Sequence, residues 1–414
     1  MKCRVCKSKN YKSVLDMGSI YPSNFIDNGP EVEPKPLHLV QCNRCDLVQL
    51  KETFDLNVMY KEHYWYRSGL NPNMVESLQD IVNGIEERIS LEPNIDSIGR
   101  EINPMVLDIG CNDGTMLGLY SNKNMFKVGV DPAPNLKCQA KNNCDYFIND
   151  FFSYDTIDKH VFGYHDRAYK VISAIAMFYD LEDPNSFLKD VTRLLADDGI
   201  FVLQFTDLLS MLKINAFDNI CHEHLEYYSL GVLYDLLIKN NLRIFDLEYN
   251  DVNGGSIRVY ARHVDYPHLK RTYPKVMDAI SHEKEYLKNH PIDKFNITVL
   301  REKGKLLSLI ASIKLEGKSI YVLGASTKGN TLLQHYGLDS TLIDNALEIN
   351  KDKFGKRTIG TRIPIIAEEE GLKEKPDYLL VLPWHFRKFF ENKFRGTGIK
   401  LIFPLPEVTV VETY

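Results

Sequence analysis

The chain has 414 residues, 44% hydrophobic and 26% charged, with a formal net charge of -6. That is enough polypeptide for two or three ordinary globular domains, without the basic balance a nucleic-acid binder needs or an apolar run of membrane-spanning length. Eight cysteines and no apolar signal core in Met1-Lys-Cys-Arg-Val-Cys6 point to reduced thiols or metal in a cytoplasmic protein.

Cys3 and Cys6 form one CxxC pair, Cys42 and Cys45 a second. Two such pairs build a closed tetrahedral zinc site, because the short spacer lets both sulfurs reach one ion. With no position left open the zinc is structural, and it stabilises a small module with too little core to fold alone. Two unrelated reduced pairs are the alternative. Tyr60 to Gly69 interleaves aromatics with His63 and Arg67, which either stack on a ligand or cover an interface; composition favours the interface. Met74, Leu78, Ile81 and Ile85 recur at helical spacing over residues 73–89, and 90–104 read as a polar connector.

An apolar strand from Met105 then runs into Asp108-Ile-Gly-Cys-Asn-Asp-Gly114 and a helix. Gly110 and Gly114 let backbone approach a ligand, and the helix start supplies free amides. The pattern is GxxxG, not the GxGxxG of dinucleotide binders. The next strand ends at Asp131, the place of the acidic residue that takes ribose hydroxyls. Further strands at Lys170 to Ala174 and Gly199 to Phe205 predict a doubly wound nucleoside-binding domain, with Asp108, Gly110, Asn112, Gly114 and Asp131 on the nucleoside. Asp150 either bonds an adenine amino group while Phe151 stacks, or caps a helix.

Beyond the strand ending at Phe205 comes Asn219-Ile-Cys-His-Glu-His-Leu-Glu-Tyr-Tyr-Ser229. Its crowd of titratable side chains is costly to bury unless they pair or do chemistry, and it follows a strand's carboxyl end, where α/β sheets bind ligands. The HExH spacing is not the HExxH of metalloproteases, since i and i+2 share no helix face. An imidazole beside a carboxylate suits a general base. Residues 230–248 read as helix then strand, Asn253-Gly-Gly-Ser256 as a turn, and Ile257 to Ala261 as a strand. Residues 264–316 read as helices with an apolar face of Ile297, Leu300, Leu306, Ile310 and Ile313. Ser319 to Leu333 is a second strand, glycine loop and helix, in which Ser326, Thr327, Lys328 and Asn330 suit a phosphate, although the order is not that of a Walker A loop. Leu342 to Asp344 and Tyr378 to Leu382 read as strands. Trp384 either flanks a ligand or packs in the core.

The Asp108 to Gly114 motif, with Gly129-Val-Asp-Pro132, resembles class I S-adenosylmethionine-dependent methyltransferases, whose phosphate-free cofactor needs no full dinucleotide fingerprint. Over essentially the full length, the order CxxC and CxxC, DIGCNDG, CHEHLEYYS, NGGSIR, LGASTKGNTLL and LPWHF is similar to the sugar C-methyltransferase family of deoxysugar biosynthesis. The resemblance implies an α/β chain with a zinc-binding module at 1–70, a central class I methyltransferase domain at 71–262 and a C-terminal Rossmann-like nucleotide-sugar-binding domain at 263–414. It implies S-adenosylmethionine and structural Zn2+, in a monomer or small homo-oligomer with no nucleic-acid or membrane partner. The implied substrate is a nucleotide-diphosphate 4-keto-6-deoxy sugar, methylated at C-3 and in some members at C-5.

The resemblance also implies roles for residues. His224 removes the proton next to the ketone, Glu223 orients or polarises it, Tyr66 lines the sugar pocket and His222 binds or assists. Ser326, Lys328, Asn330 and Trp384 fall on the substrate side. Two departures concern the sugar pocket: Asp180 or Tyr179 stands where better-known members carry a histidine, and Cys221 stands where they carry a tyrosine. O-methyl transfer by the same base and a non-catalytic zinc-ribbon binding protein are the competing functions.

Overall fold

Met105–Ile109 is buried at every position, the mark of a parallel strand covered on both faces. It is an inner strand of a seven-stranded sheet in the order Tyr146–Ile148, Phe126–Val130, Met105–Ile109, Tyr169–Ile175, Leu195–Phe205, Ser256–His263, Leu242–Asn250. The first five run parallel, and Ser256–His263 is antiparallel to both its neighbours. These positions come from a computed structural model, which describes residues 1–414 except 28–32, 63, 96–97, 162–165, 271–272 and 291; His63 lies outside the described residues.

Alternate strand residues feed opposite cores, as a period of two requires. Val106, Val171 and Val202 pack on Leu78, Ile81, Val82 and Ile85 of helix Pro72–Glu86. Leu107, Ile172 and Leu203 pack on Leu188 and Val191 of helix Pro184–Leu194 and on Leu233 and Leu236 of helix Leu230–Lys239. Each such side chain contributes about 1.5–3 kcal/mol on burial. Asn71 and Asp183 start the first two helices by accepting the Asn73 and Ser186 N–H groups, each followed by a first-turn proline, a sequence-coded beginning. With helices on both faces the domain is doubly wound, as expected.

A second sheet orders Ile365–Ala367, Asn345–Glu348, Ile320–Leu323, Tyr378–Val381, Lys400–Phe403 and Thr409–Val411, parallel except for the last strand. It is the second Rossmann-like unit. The N-terminal antiparallel sheet orders Tyr11–Ile20, Lys35–Cys42, Val48–Leu50 and Glu226–Tyr227. Its last strand thus comes from the histidine-rich segment. Phe25–Ile26 also pairs with Arg357–Thr358, so the N-terminal chain touches both larger units. Among the described residues no helix is long and apolar enough to cross a membrane.

Three details differ from expectation. The strand foreseen at Leu342 to Asp344 lies at Asn345–Glu348. Asp339 takes the N–H groups of Thr341, Leu342 and Ile343 on its side-chain and main-chain oxygens, which bends the apolar pair into a turn. In helix Asp293–Leu315 the buried seam is Phe295, Val299, Glu302, Leu306, Ile310 and Ile313, while Ile297 and Leu300 are 67% and 54% exposed. The seam steps by three and four residues, and those two fall off it. The connector at 90–104 carries a short exposed hairpin, Asn94–Ile95 with Glu101–Ile102.

Candidate active site

The four N-terminal cysteines converge as their spacing predicts. Cys3 and Cys45 Sγ stand 3.5 Å apart, as do Cys6 and Cys42, and all four sulfurs lie within 4.8 Å of one another. Zn–S bonds of about 2.3 Å in a tetrahedron place sulfurs about 3.8 Å apart, so the donor set fits one zinc ion. Arg4, inside the first knuckle, donates to the Leu50 carbonyl at 2.7 Å and the Thr53 hydroxyl at 2.8 Å. Its Nε lies 3.7 Å from buried Glu226, two residues beyond His224. An ion pair therefore links the zinc module to the segment that carries His224.

A cavity of about 330 Å³ opens between the N-terminal segment, the carboxyl ends of the central strands and the start of helix Thr327–Tyr336. On the nucleoside side it is lined by Asp108, Gly110, Asn112, Asp131 and Phe151. Asp131 accepts the N–H groups of Asn112 and Ala133, both at 2.9 Å, and burial raises it to about 6 against them. Asp108 accepts the Ser173 hydroxyl at 2.7 Å and is raised by burial to about 7. Gly110 has φ 70°, and a Cβ there would come within 3.0 Å of Met177, so this turn requires glycine. Asn112, also left-handed at φ 54°, spends its amide on the strap above: it donates to the Tyr66 carbonyl at 3.1 Å and accepts the Ser68 N–H at 2.9 Å.

Two nucleoside candidates stand elsewhere. Gly114 caps the next short helix and presses on Ala140. Asp150 is exposed, accepts Lys61 at 3.3 Å and the Phe151 N–H at 2.9 Å, and caps no helix; Ser153 does that.

Opposite lie His224 and Glu223. His224 Nδ1 is 2.8 Å from the Asn219 carbonyl oxygen. A carbonyl only accepts, so Nδ1 carries the proton and Nε2 presents its lone pair. Tyr179 packs against the ring at 4.2 Å between centroids. Burial, with help from Lys328, pulls the imidazole down to about 3, so it is neutral at physiological pH. Burial raises Glu223 to about 7 and Asp180 well above its usual range. Asp180 accepts the Tyr60 hydroxyl at 2.9 Å. One oxygen of each of these two carboxyls has no hydrogen-bond partner, as expected where a polar ligand completes the site. His222 is not among the lining residues: its Nε2 lies 2.8 Å from the Ile20 carbonyl oxygen and its ring packs on Phe54.

Tyr66, 44% exposed, lies at the rim with Tyr60 and Tyr64 deeper on the same wall. Of the substrate-side candidates, Lys328 and its neighbour Thr327 line the cavity. Ser326 caps helix Thr327–Tyr336 through the Gly329 N–H. Asn330 donates to the Asn24 carbonyl at 3.0 Å, and Trp384 to Asp218 at 2.9 Å. These three are not among the residues that line the cavity. The sequence assigns no individual role to Asn219, and reads Tyr60 only as part of an aromatic tract, because each acts through partners remote in the chain; Asp180 carries a signal as a departure from the family pattern. The cavity suits S-adenosylmethionine, a sulfonium cation. Five carboxyls (Asp108, Asp131, Asp180, Glu182, Glu223) line it against one lysine, Lys328, and no arginine among the described residues.

Comparison with known proteins agrees with this architecture. The family model for a zinc binding domain matches residues 3–60, that for a methyltransferase domain 86–247, and that for a C-methyltransferase C-terminal domain 251–406. The C-methyltransferase NovU of Streptomyces niveus is 30% identical over 419 residues, spanning 99% of this chain and 96% of its own. Solved structures similar in part include magnesium protoporphyrin IX methyltransferase from Synechocystis PCC 6803 with bound S-adenosylhomocysteine (13% identity, 45% of this chain and 82% of that one, TM-score 0.34). A SAM dependent methyltransferase from Aquifex aeolicus is another (14% identity, 46% of this chain and 97% of that one, TM-score 0.31). Identity of 30% to a C-methyltransferase over 99% of the chain, joined to three domain matches along its length, places this S-adenosylmethionine-dependent, zinc-binding methyltransferase in the C-methyltransferase family.

Proposed function

We propose that the protein methylates the carbon next to the ketone of a nucleotide-linked 4-keto-6-deoxy sugar, at C-3, with His224 as the base. The observation that carries this is the His224 tautomer: Nδ1–H committed to the Asn219 carbonyl, Nε2 available, and the ring in the same cavity as the Asp131 nucleoside wall. The name of the NovU relative, a C-methyltransferase, supports carbon as the acceptor. Residues 1–70 then serve as the zinc module, 71–262 as the methyltransferase domain and 263–414 as the nucleotide-sugar side, in a cytoplasmic enzyme.

A C–H beside a ketone is acidic only because its enolate can be stabilised. His224 Nε2 takes that proton, and Tyr179 and Asn219 hold the imidazole plane while it does. Glu223 and Asp180 offer hydrogen bonds to substrate hydroxyls through their unpartnered oxygens. Asp131 accepts from the ribose and Phe151 covers the adenine side. S-adenosylmethionine, when bound, would supply an electrophilic methyl, and Asp131 and Phe151 would hold it in alignment with the carbon that His224 deprotonates.

The test is methyl transfer to a panel of thymidine-, guanosine- and cytidine-diphosphate 4-keto-6-deoxy sugars, followed by mass spectrometry. His224→Ala lowers turnover by at least about 10²–10⁴-fold while S-adenosylmethionine still binds. Retained turnover removes His224 from the base role.

A further inference from the structure

Lys328 is poorly placed for a phosphate. It stands second in helix Thr327–Tyr336, yet its side chain turns inward to the cavity that holds His224, where among the described residues no arginine or second lysine joins it to share a diphosphate. Its ammonium donates to the side-chain oxygen of Asn219. The main-chain oxygen of that same Asn219 accepts the His224 Nδ1–H. One residue therefore anchors both the cation and the base. Asn219 is itself fixed: its amide donates to the Ala216 carbonyl at 3.0 Å, and its carbonyl also takes the Tyr227 hydroxyl at 3.2 Å. Behind the ammonium stands Asp218, held by the Trp384 indole N–H.

We propose that Lys328 is a catalytic residue that holds the ketone oxygen while charge develops on it, and not a phosphate anchor. This rests on the C-methylation reading above. In a ketone the oxygen and the neighbouring C–H are two bonds apart, so the base and the oxyanion donor must stand side by side, as their common anchorage on Asn219 makes them. In the step, His224 Nε2 takes the proton, the C–H electron pair becomes the C=C π bond, and the carbonyl π pair moves onto oxygen. The enolate oxygen then faces the ammonium, with imidazolium on its other flank. Nothing is oxidised or reduced.

Hydrogen exchange tests this without methyl transfer. The zinc-loaded full chain is mixed in D2O with S-adenosylhomocysteine and each of the dTDP-, GDP- and CDP-linked 4-keto-6-deoxyhexoses, and loss of the hydrogen next to the ketone is followed by NMR. Lys328→Met should slow exchange at saturating sugar by about 10²–10³-fold, the loss expected for one oxyanion donor, with sugar affinity changed by less than about threefold. Unchanged S-adenosylhomocysteine affinity shows that the variant is folded. Lys328→Arg, which keeps the charge, recovers part of the rate, and Asn219→Ala, which frees the ammonium, slows exchange in the same sense. A Lys328→Met protein that binds sugar far more weakly yet exchanges at the wild-type rate once saturated overturns the proposal and makes Lys328 a phosphate ligand. Wild-type protein that binds these sugars without exchange, or binds none of them, overturns the ketosugar reading and this proposal with it.

Discussion

Asp131→Asn changes one atom at the proposed ribose site. In the wild type Oδ2 accepts the Asn112 N–H and Oδ1 the Ala133 N–H, each at 2.9 Å. The carboxylate thus ties the glycine loop to the turn after strand Phe126–Val130. An amide keeps one acceptor and turns a donor toward the other N–H, leaving it buried and unsatisfied at a cost of about 1–3 kcal/mol. It also removes the charge that ribose hydroxyls bind, worth about 1.5–3 kcal/mol per hydrogen bond. At about 1.4 kcal/mol per factor of ten, S-adenosylmethionine affinity falls about 10- to 150-fold.

The pH dependence gives a second handle on the same residue. Burial holds Asp131 at about 6, so it is ionised at pH 7 and largely protonated at pH 5. Its share of binding therefore weakens as pH falls through 6, by about tenfold between pH 7 and pH 5. Asp108, Asp180 and Glu223 are raised in the same cavity, so the informative quantity is the slope lost in the variant. Isothermal titration at pH 5, 6, 7 and 8 measures it. A variant with wild-type affinity and wild-type slope refutes Asp131 as the ribose ligand.

Cys42→Ser opens the four-sulfur set and should abolish zinc content and lower the urea midpoint; wild-type protein free of zinc by atomic absorption would sink the zinc assignment. His335, pulled by burial to about 4, stays neutral while an unfolded histidine charges near 6.5, so the unfolded chain binds more protons below that pH and stability falls with pH. His335→Gln should relieve about 2.5 kcal/mol of that loss at pH 4.5, read as the change in urea-derived stability from pH 7.5; an unaltered difference refutes the buried neutral state. Ile81 is fully buried between helix Pro72–Glu86 and the central sheet, and Ile81→Ala should cost about 2–5 kcal/mol. A loss below about 1 kcal/mol would mean that the helix is not seated as described.

The features legible in the chain were those encoded locally. The CxxC spacings announced a cluster whose sulfurs meet within 4.8 Å, and the unbroken apolar runs announced strands buried on both faces. The Asn219 to Ser229 crowd was recognisable as costly to bury, yet the two imidazoles part company. His222 turns to the N-terminal sheet and His224 to the cavity, because the stretch from Cys221 to Leu225 is a turn rather than a strand whose side chains would alternate. What stayed hidden were partnerships across long loops: Asn219 with Lys328, Tyr60 with Asp180, Arg4 with Glu226. Ser326, Asn330 and Trp384 sit in ligand-like motifs but are taken up by a helix cap, the Asn24 carbonyl and Asp218. Composition does not distinguish a polar side chain aimed at a ligand from one aimed at a neighbouring segment.

The claim most exposed to test is that the methyl lands on carbon. Incubation with S-adenosylmethionine carrying a 13C methyl and the 4-keto-6-deoxy sugar nucleotides, followed by carbon NMR of the product, locates it directly. The expected product carries the methyl carbon bonded to the ring carbon beside the ketone, at C-3. A methyl bonded to oxygen, or no transfer to any of these sugars by protein that binds its cofactor, contradicts the claim.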